Sequence, residues 1–114
     1  MEDIKQQIIR QKLTLIKQLV AKDKNGDLFI IINREKNLEF IHKYGLIIDD
    51  IKEIMLNLEI NDYYKGPEED EAGYEGEVWI FTPKFQDIRL YIKIRIKNNI
   101  LIVCISIHEY GVFN

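Results

Sequence analysis

The stretch from Arg89 to His108 constrains the fold more than any other part of this chain. Its first half alternates Leu90, Ile92, Ile94 and Ile96 with Arg89, Tyr91, Lys93 and Arg95, the period of a strand buried on one side. The second half carries Leu101, Val103, Ile105 and Ile107 on one parity. Between the halves lie Asn98 and Asn99, and asparagine tolerates the positive φ that a two-residue hairpin turn needs. With those asparagines as the turn, Ile96 faces Leu101, Lys93 faces Cys104, Tyr91 faces Ser106 and Arg89 faces His108. Both apolar series then form one core wall. A one-residue slip sets that series against Arg95, Lys93 and Tyr91, which burial opposes. The other face offers Arg89, Tyr91, Lys93, Arg95, Ser106 and His108.

Upstream, Ile4, Ile8, Leu15, Ile16, Leu19 and Val20, with Ile9 and Leu13 beside them, recur at helical spacing from Glu2 to about Lys22. Asn25 and Gly26 break that helix, and Leu28 to Ile32 is a short apolar run that fits a strand. Asn33 is placed to cap a second helix ending at Tyr44, with Leu38 and Ile41 inward and Gly45 as a left-handed stop. Asp50 and Glu53 have capping-box spacing for a third helix carrying Ile51, Ile54, Met55 and Leu58. Gly66-Pro67 then forces an ordered connection, followed by an acidic segment read as a mobile, solvated loop. Glu77 to Thr82 reads as a strand, and Pro83 to Asp87 turns the chain into the hairpin. The expected architecture is α+β. N-terminal helices cover one face of a small antiparallel sheet that ends in a C-terminal meander.

At 114 residues the chain has the length of a single domain, 1–114, with one core. No apolar run reaches the length of a membrane span, and the start, with Glu2 and Asp3, does not read as a leader peptide, so the expected location is the cytoplasm. The single cysteine, Cys104, makes no internal disulfide and reads as a small core residue rather than a nucleophile. The net charge of −3 argues against a polyanionic partner only until its distribution is considered. Glu68, Glu69, Asp70, Glu71, Glu75 and Glu77 crowd one segment, and elsewhere the basic residues outnumber the acids. That segment lacks the ligand order of a calcium or magnesium loop, and no metal site is expected. Nor does the chain contain a phosphate-binding glycine loop, a zinc knuckle or a hydrolase elbow.

Cleaving RNA without a metal needs a base for the ribose 2′-hydroxyl, an acid for the departing 5′-oxygen and positive charge at the phosphate. Lys, Arg, Tyr and His can fill those roles, although a solvent-facing strand is often built of the same residues. Trp79 fits the core better than a base-stacking platform, His42 fits an exposed helix position, and Tyr63 and Tyr64 fit packing at the loop.

The ordered set Tyr44-Gly45-Leu46, Asp62-Tyr63-Tyr64-Lys65, Trp79, Tyr91-Ile92-Lys93 and Leu101-Ile102-Val103 resembles the MqsR family of bacterial toxins, messenger-RNA interferases with a RelE-like fold. The resemblance runs from the second helix to the last strand and is poor over the first helix. It implies a sequence-selective, metal-independent endoribonuclease of a type II toxin-antitoxin system. Such an enzyme acts on single-stranded mRNA without a cofactor, silenced by a cognate antitoxin, with ribosome dependence left open. It carries over a catalytic lysine at Lys65, set beside the sheet by the Gly66-Pro67 turn, and a catalytic tyrosine at Tyr91. Lys93, Arg95, Arg89, Tyr64 and Ser106 would hold RNA or its phosphates. Two positions depart from the pattern. Ile80 replaces a glutamine, and Ser106 stands where a lysine is expected. His108, on the same parity as Ser106, is the candidate to take over the missing lysine's post, since imidazole exchanges protons near neutral pH. Loss of the glutamine keeps alive an alternative: a non-catalytic RelE-like binding protein of phage or mobile-element type that docks through its acidic loop. In the enzyme, that loop is expected to repel RNA, so removing its charges should strengthen binding.

Overall fold

The computed structural model describes residues 2–112. Helix α1 (Ile4–Lys22) begins where the Asp3 side chain accepts from Gln6 N at 2.8 Å and Gln6 answers at Asp3 N, a reciprocal cap that satisfies two orphan donors. It buries Ile9, Leu13, Ile16, Leu19 and Val20, whereas Ile4 and Ile8, expected inward, are exposed. At about 100° per residue, Ile4 lies more than a quarter turn around the helix from the Ile9, Leu13, Ile16 and Val20 stripe, and Ile8 lies at the edge of the buried face.

After α1 the Asp23 carboxylate accepts from Leu28 N at 2.9 Å and Phe29 N at 3.0 Å and pairs with Lys52 Nζ at 2.8 Å. Burial alone would raise this carboxyl. The Lys52 and backbone bonds outweigh it and hold the pKa at about 2. The expected short strand is β1 (Phe29–Ile31). Helix α2 (Glu35–Tyr44) starts from Arg34 without a side-chain cap, so Asn33 does not cap it, and it ends at Gly45 with φ 62. Its inward residues are Asn37 and Phe40; Leu38 is exposed and Ile41 only partly buried. Helix α3 (Ile48–Leu56) starts one turn earlier than the expected Asp50–Glu53 capping box: Ile47 is the N-cap, and Asp50 sits three residues in and accepts from Ile47 N at 2.9 Å. Ile51, Met55 and the following Leu58 are buried.

A single 3-10 turn (Ile60–Asp62) leads into β2 (Tyr63–Glu68), β3 (Glu77–Phe81), β4 (Lys84–Phe85), β5 (Ile88–Lys97) and β6 (Leu101–Glu109). The sheet runs β1-β6-β5-β3-β2, with β4 paired to β5. β1 lies parallel to β6 and the other pairs are antiparallel, so the α+β architecture is present with a mixed rather than antiparallel sheet. Gly66-Pro67, expected to turn the chain, lies inside β2 with a cis peptide bond. A Cβ at Gly66 would stand 2.8 Å from the Val78 carbonyl oxygen, so β2 and β3 approach too closely there for a side chain.

Asn98 and Asn99 both take positive φ, as expected, but the turn is three residues long rather than two, with Ile100 in it and Ile100 N donating to Lys97 O at 3.0 Å. The expected register is lost with it. Lys97 pairs with Leu101, Ile96 with Ile102 and Ile94 with Cys104; then the pairing shifts, so that Lys93 meets Ser106 and Tyr91 meets His108. Ile105 is the extra residue, a β-bulge. Ile102 and Cys104, not Leu101 and Val103, therefore join the core beside Ile96 and Ile94, and beyond the bulge Ile107 returns to it. Leu101 and Ile105, expected in the core, are half-exposed, while Val103 is buried opposite Arg95 on the other face.

Asn37 supports this bulge where β1 stops pairing. Its Nδ2 donates to Ile105 O and Ile32 O, both at 3.0 Å, and its Oδ1 accepts from Ile107 N at 2.9 Å. The side chain is fully buried. Removing it would leave buried backbone groups unpaired at a cost of about 1–3 kcal/mol each. Asn37→Ala is expected to lower the unfolding free energy by about 3 kcal/mol in urea titration; a change below about 0.5 kcal/mol, the range of ordinary surface substitutions, would show that the bulge does not need this side chain.

Candidate nucleic-acid interface

Direct pairing puts the members of each row on the same side of the sheet. On the side away from the core, one row is Lys65, Ile80, Lys93 and Ser106; a neighbouring row is Val78, Arg95, Val103 and Ile30; and Tyr91 with His108 forms the next row in the opposite direction. Trp79 and Phe81 lie on the other parity with the core, as expected for Trp79. His42 is exposed on α2.

The bulge sets His108 across from Tyr91, and their rings stack at 5.3 Å with an interplanar angle of 19°. His108 Nδ1 lies 2.8 Å from Glu109 O. A carbonyl only accepts, so Nδ1 carries the proton and Nε2 the lone pair. The ring is 1% exposed, beside a notch of about 170 Å³ also lined by Lys36, Lys43 and Val112. Burial, then the nearby Lys36 and Arg34 charges, lower its pKa against the opposing effect of the Glu109 bond, so it is neutral near pH 7. His108 thus occupies the expected face but lies beneath Tyr91 rather than open to solvent. Tyr91 is half-buried; burial first, then Glu68, Tyr64 and Glu71, raise its pKa against the pull of Lys65. It stays a neutral phenol.

Lys65 is exposed on edge strand β2, not in a turn, and its Nζ pairs with Glu68 Oε2 at 3.1 Å. The bond to Glu68 is the main reason its pKa is raised. Lys65 and Tyr91 lie close enough for each to shift the other's proton affinity. Ser106 is buried and accepts from Arg34 Nη1 at 3.2 Å. Burial first, then Arg34 and Lys93, lower the pKa of Lys36, so Arg34, Lys36 and Lys93 form one cationic cluster. At the other end Arg89 lies 4.0 Å from the Tyr110 ring and 5.9 Å from that of Tyr64, two exposed aromatics in edge contact at 6.2 Å. Tyr63 differs from Tyr64: it packs on Trp79 and Phe81, and its hydroxyl donates to Gly66 O at 2.6 Å.

Reading the residues alone missed Arg34, Lys36 and Tyr110. Arg34 and Lys36 reach the face because β1 runs parallel to β6, a long-range pairing that leaves no local pattern. The acidic segment is also not simply solvated. Asp70 pairs with Arg95 Nε at 3.4 Å, and both side chains are largely buried. A groove of about 900 Å³ that adjoins Arg89 is lined by Asp50, Glu53, Glu59 and Asp62 against Lys84 and Arg89, a net acidic lining and the wrong sign for a polyanion. Among the described residues no group of acids, histidines and cysteines has the geometry to hold a metal ion, Cys104 is buried with its thiol pushed up to about 12 by burial, and no helix is long and apolar enough to cross a membrane.

The chain matches no protein-family model, no curated protein and no solved structure.

A lowered histidine pKa favours the folded state above the ordinary value of 6.5, and that contribution fades as pH falls from 6.5 toward the folded value. NMR titration of the His108 ring is expected to give a midpoint below 6.5 with Nδ1 protonated in the neutral form; a midpoint at or above 6.5 would contradict this environment.

Proposed function

We propose that the outer face binds single-stranded messenger RNA and cleaves it without a metal or organic cofactor, as a sequence-selective, cytoplasmic endoribonuclease toxin restrained by a cognate antitoxin protein. The observation that carries the reading is the stacked Tyr91–His108 pair flanked by Lys65, Lys93, Arg95 and Arg34 on one sheet face. The MqsR-like residue order supports the same class. Nucleic-acid faces are typically cationic and aromatic rather than deep, as this one is.

In the proposed reaction the ribose O2′ attacks the adjacent phosphorus, an O2′–P bond forms, and the P–O5′ bond breaks. The products are a 2′,3′-cyclic phosphate and a 5′-hydroxyl. Lys65 and Lys93 offset the charge that grows on the phosphate oxygens. The neutral phenol of Tyr91 gives its proton to O5′, and the neutral imidazole of His108 takes the proton from O2′. His108 meets the ribose when the Tyr91 ring or the turn at Val112 moves aside, because its own ring is covered. Ser106, tied to Arg34, orients the cation cluster, and the Arg89, Tyr64 and Tyr110 group offers aromatic faces to a base.

Burial of His108 favours a second reading, a binding protein that keeps the face without catalysis. Single variants separate the two. General acid catalysis contributes roughly 10²- to 10⁴-fold, so Tyr91→Phe is expected to lower the cleavage rate by that factor with RNA affinity within twofold of the parent. Lys65→Ala is expected to lower both. Because the base must be unprotonated, the rate should fall only as pH drops below 6.5, and His108→Ala should remove that acid limb. Cleavage unchanged in both Tyr91→Phe and His108→Ala would end the assignment of acid and base to this pair, and binding without any cleavage would end the enzyme reading and leave the second.

A further inference from the structure

The segment between β2 and β3 lies across part of the cationic face. Its first anchor is Glu68 on Lys65. Its second is Asp70, paired with Arg95 Nε, with side chains 10% and 12% exposed. Arg95 Nη1 also donates to the Glu75 carbonyl at 2.9 Å, and its guanidinium lies 5.1 Å from the Tyr74 ring. The segment re-enters β3 at Gly76, with φ 128, where a Cβ would stand 2.6 Å from the Ile96 carbonyl oxygen. Only glycine lets the chain pass so close to β5. Asp70 additionally shapes its own turn, accepting from Ala72 N at 2.7 Å through its carboxylate and from Gly73 N at 2.9 Å through its carbonyl.

Two carboxylates therefore rest on two of the cations that a nucleic acid would use. Neither contact is a tight one. Lys65 and Glu68 are substantially exposed, and such pairs contribute little in water. The Arg95–Asp70 pair is long, and Arg95 Nε is buried with no hydrogen bond among the described residues. A guanidinium prefers a bidentate oxyanion at shorter range. A backbone phosphodiester, with its two non-bridging oxygens, can supply the bidentate partner that Asp70 does not.

Resting on the RNA reading above, we propose that the segment from Glu68 to Gly76 is an autoinhibitory strap whose Glu68 and Asp70 carboxylates occupy two backbone-phosphate subsites, at Lys65 and Arg95, so that RNA binds by displacing it. The subsites lie in adjacent rows, with β3 between their strands. At about 3.4 Å per residue along a strand and about 4.8 Å between strands, their Cα atoms are roughly 12 Å apart, a span of more than one nucleotide. Lifting the strap would also take Glu68 and Glu71 away from Tyr91 while Lys65 stays.

The test compares the full chain with Glu68→Gln/Asp70→Asn/Glu71→Gln, and with Asp27→Asn/Asp49→Asn, which removes exposed acids elsewhere. Fluorescence anisotropy on a short labelled single-stranded RNA is read across a salt series. The strap variant is expected to bind at least tenfold tighter than the parent, with a steeper salt dependence, because its freed cations release counterions without returning carboxylates to solvent. The control should stay within about twofold to threefold. In parallel, amide hydrogen exchange of residues 69–76 in the parent should speed up when RNA is added. Equal affinity of parent and strap variant, or a control that gains as much as the strap variant, would overturn the strap and leave the RNA reading standing. Slower exchange in the segment on RNA addition would do the same. If neither protein binds RNA at any salt, the RNA reading fails and takes the strap with it.

Discussion

At Ile105 the last strand carries one residue more than its partner, and the chemistry attributed to the outer face depends on that bulge. Before it, Ile102 and Cys104 point to the core; after it, Ile107 does. The shift sends Ser106 to Lys93 and His108 to Tyr91. Without it the pairing set at the turn, Lys97 with Leu101, would run on to put Ile107 opposite Tyr91 and His108 opposite Leu90 on the core side. Bulges commonly re-aim side chains near active sites. Here the cost of an unpaired carbonyl at Ile105 is met by Asn37 and by Arg34 Nη1 at 3.3 Å, so a buried amide from α2 and a cation of the site itself both hold the distortion in place.

The electrostatics follow from the same arrangement. Two strands, β2 and β5, and the start of α2 bring Lys65, Lys93, Arg95, Arg34 and Lys36 to one side of the sheet, while the chain as a whole is acidic. Like charges on one face repel; burial first and then that repulsion lower the proton affinity of Lys36, and the carboxylates of Glu68 and Asp70 offset the charge of Lys65 and Arg95. On the proposed reading, a polyanion that brings more negative charge than these carboxylates would displace them. The tyrosine at its centre is kept protonated by burial and by nearby acids, and the histidine beneath it is kept neutral by burial and nearby cations. These two states are the pair that acid-base chemistry at a phosphate needs.

Much of this was readable from residue order. The three helices, the short strand after Gly26, the asparagines of the turn and the polar parity of β5 each carry local signals, periodicity and positive-φ residues, whereas Asn33 and Asp50 are not the helix caps that their spacing suggests. The core role of Trp79 followed from its strand, whereas the expected register set Cys104 opposite Lys93 and only the observed one places it beside Ile94 in the core. What stayed hidden is non-local. The bulge cannot be read from β6, because Leu101, Val103, Ile105 and Ile107 form a perfect alternation that is true only beyond Ile105. The choice between the Ile4–Ile8 and Ile9–Leu13 lines of α1 depends on what the helix packs against. The parallel pairing of β1, which delivers Arg34 and Lys36, leaves no trace in its three residues. Nor does a run of acids reveal whether it faces water or folds back onto two cations.

The most direct measurement of the central claim is the chemistry of the RNA ends. Incubated with a single-stranded transcript in excess chelator, the chain is expected to leave 2′,3′-cyclic phosphate and 5′-hydroxyl termini at recurrent sites, and a single 2′-deoxy substitution at a cut position should block cutting there. Termini bearing 5′-phosphate, cutting that persists through the 2′-deoxy nucleotide, or an intact transcript would each contradict an RNA-cleaving face built around Tyr91.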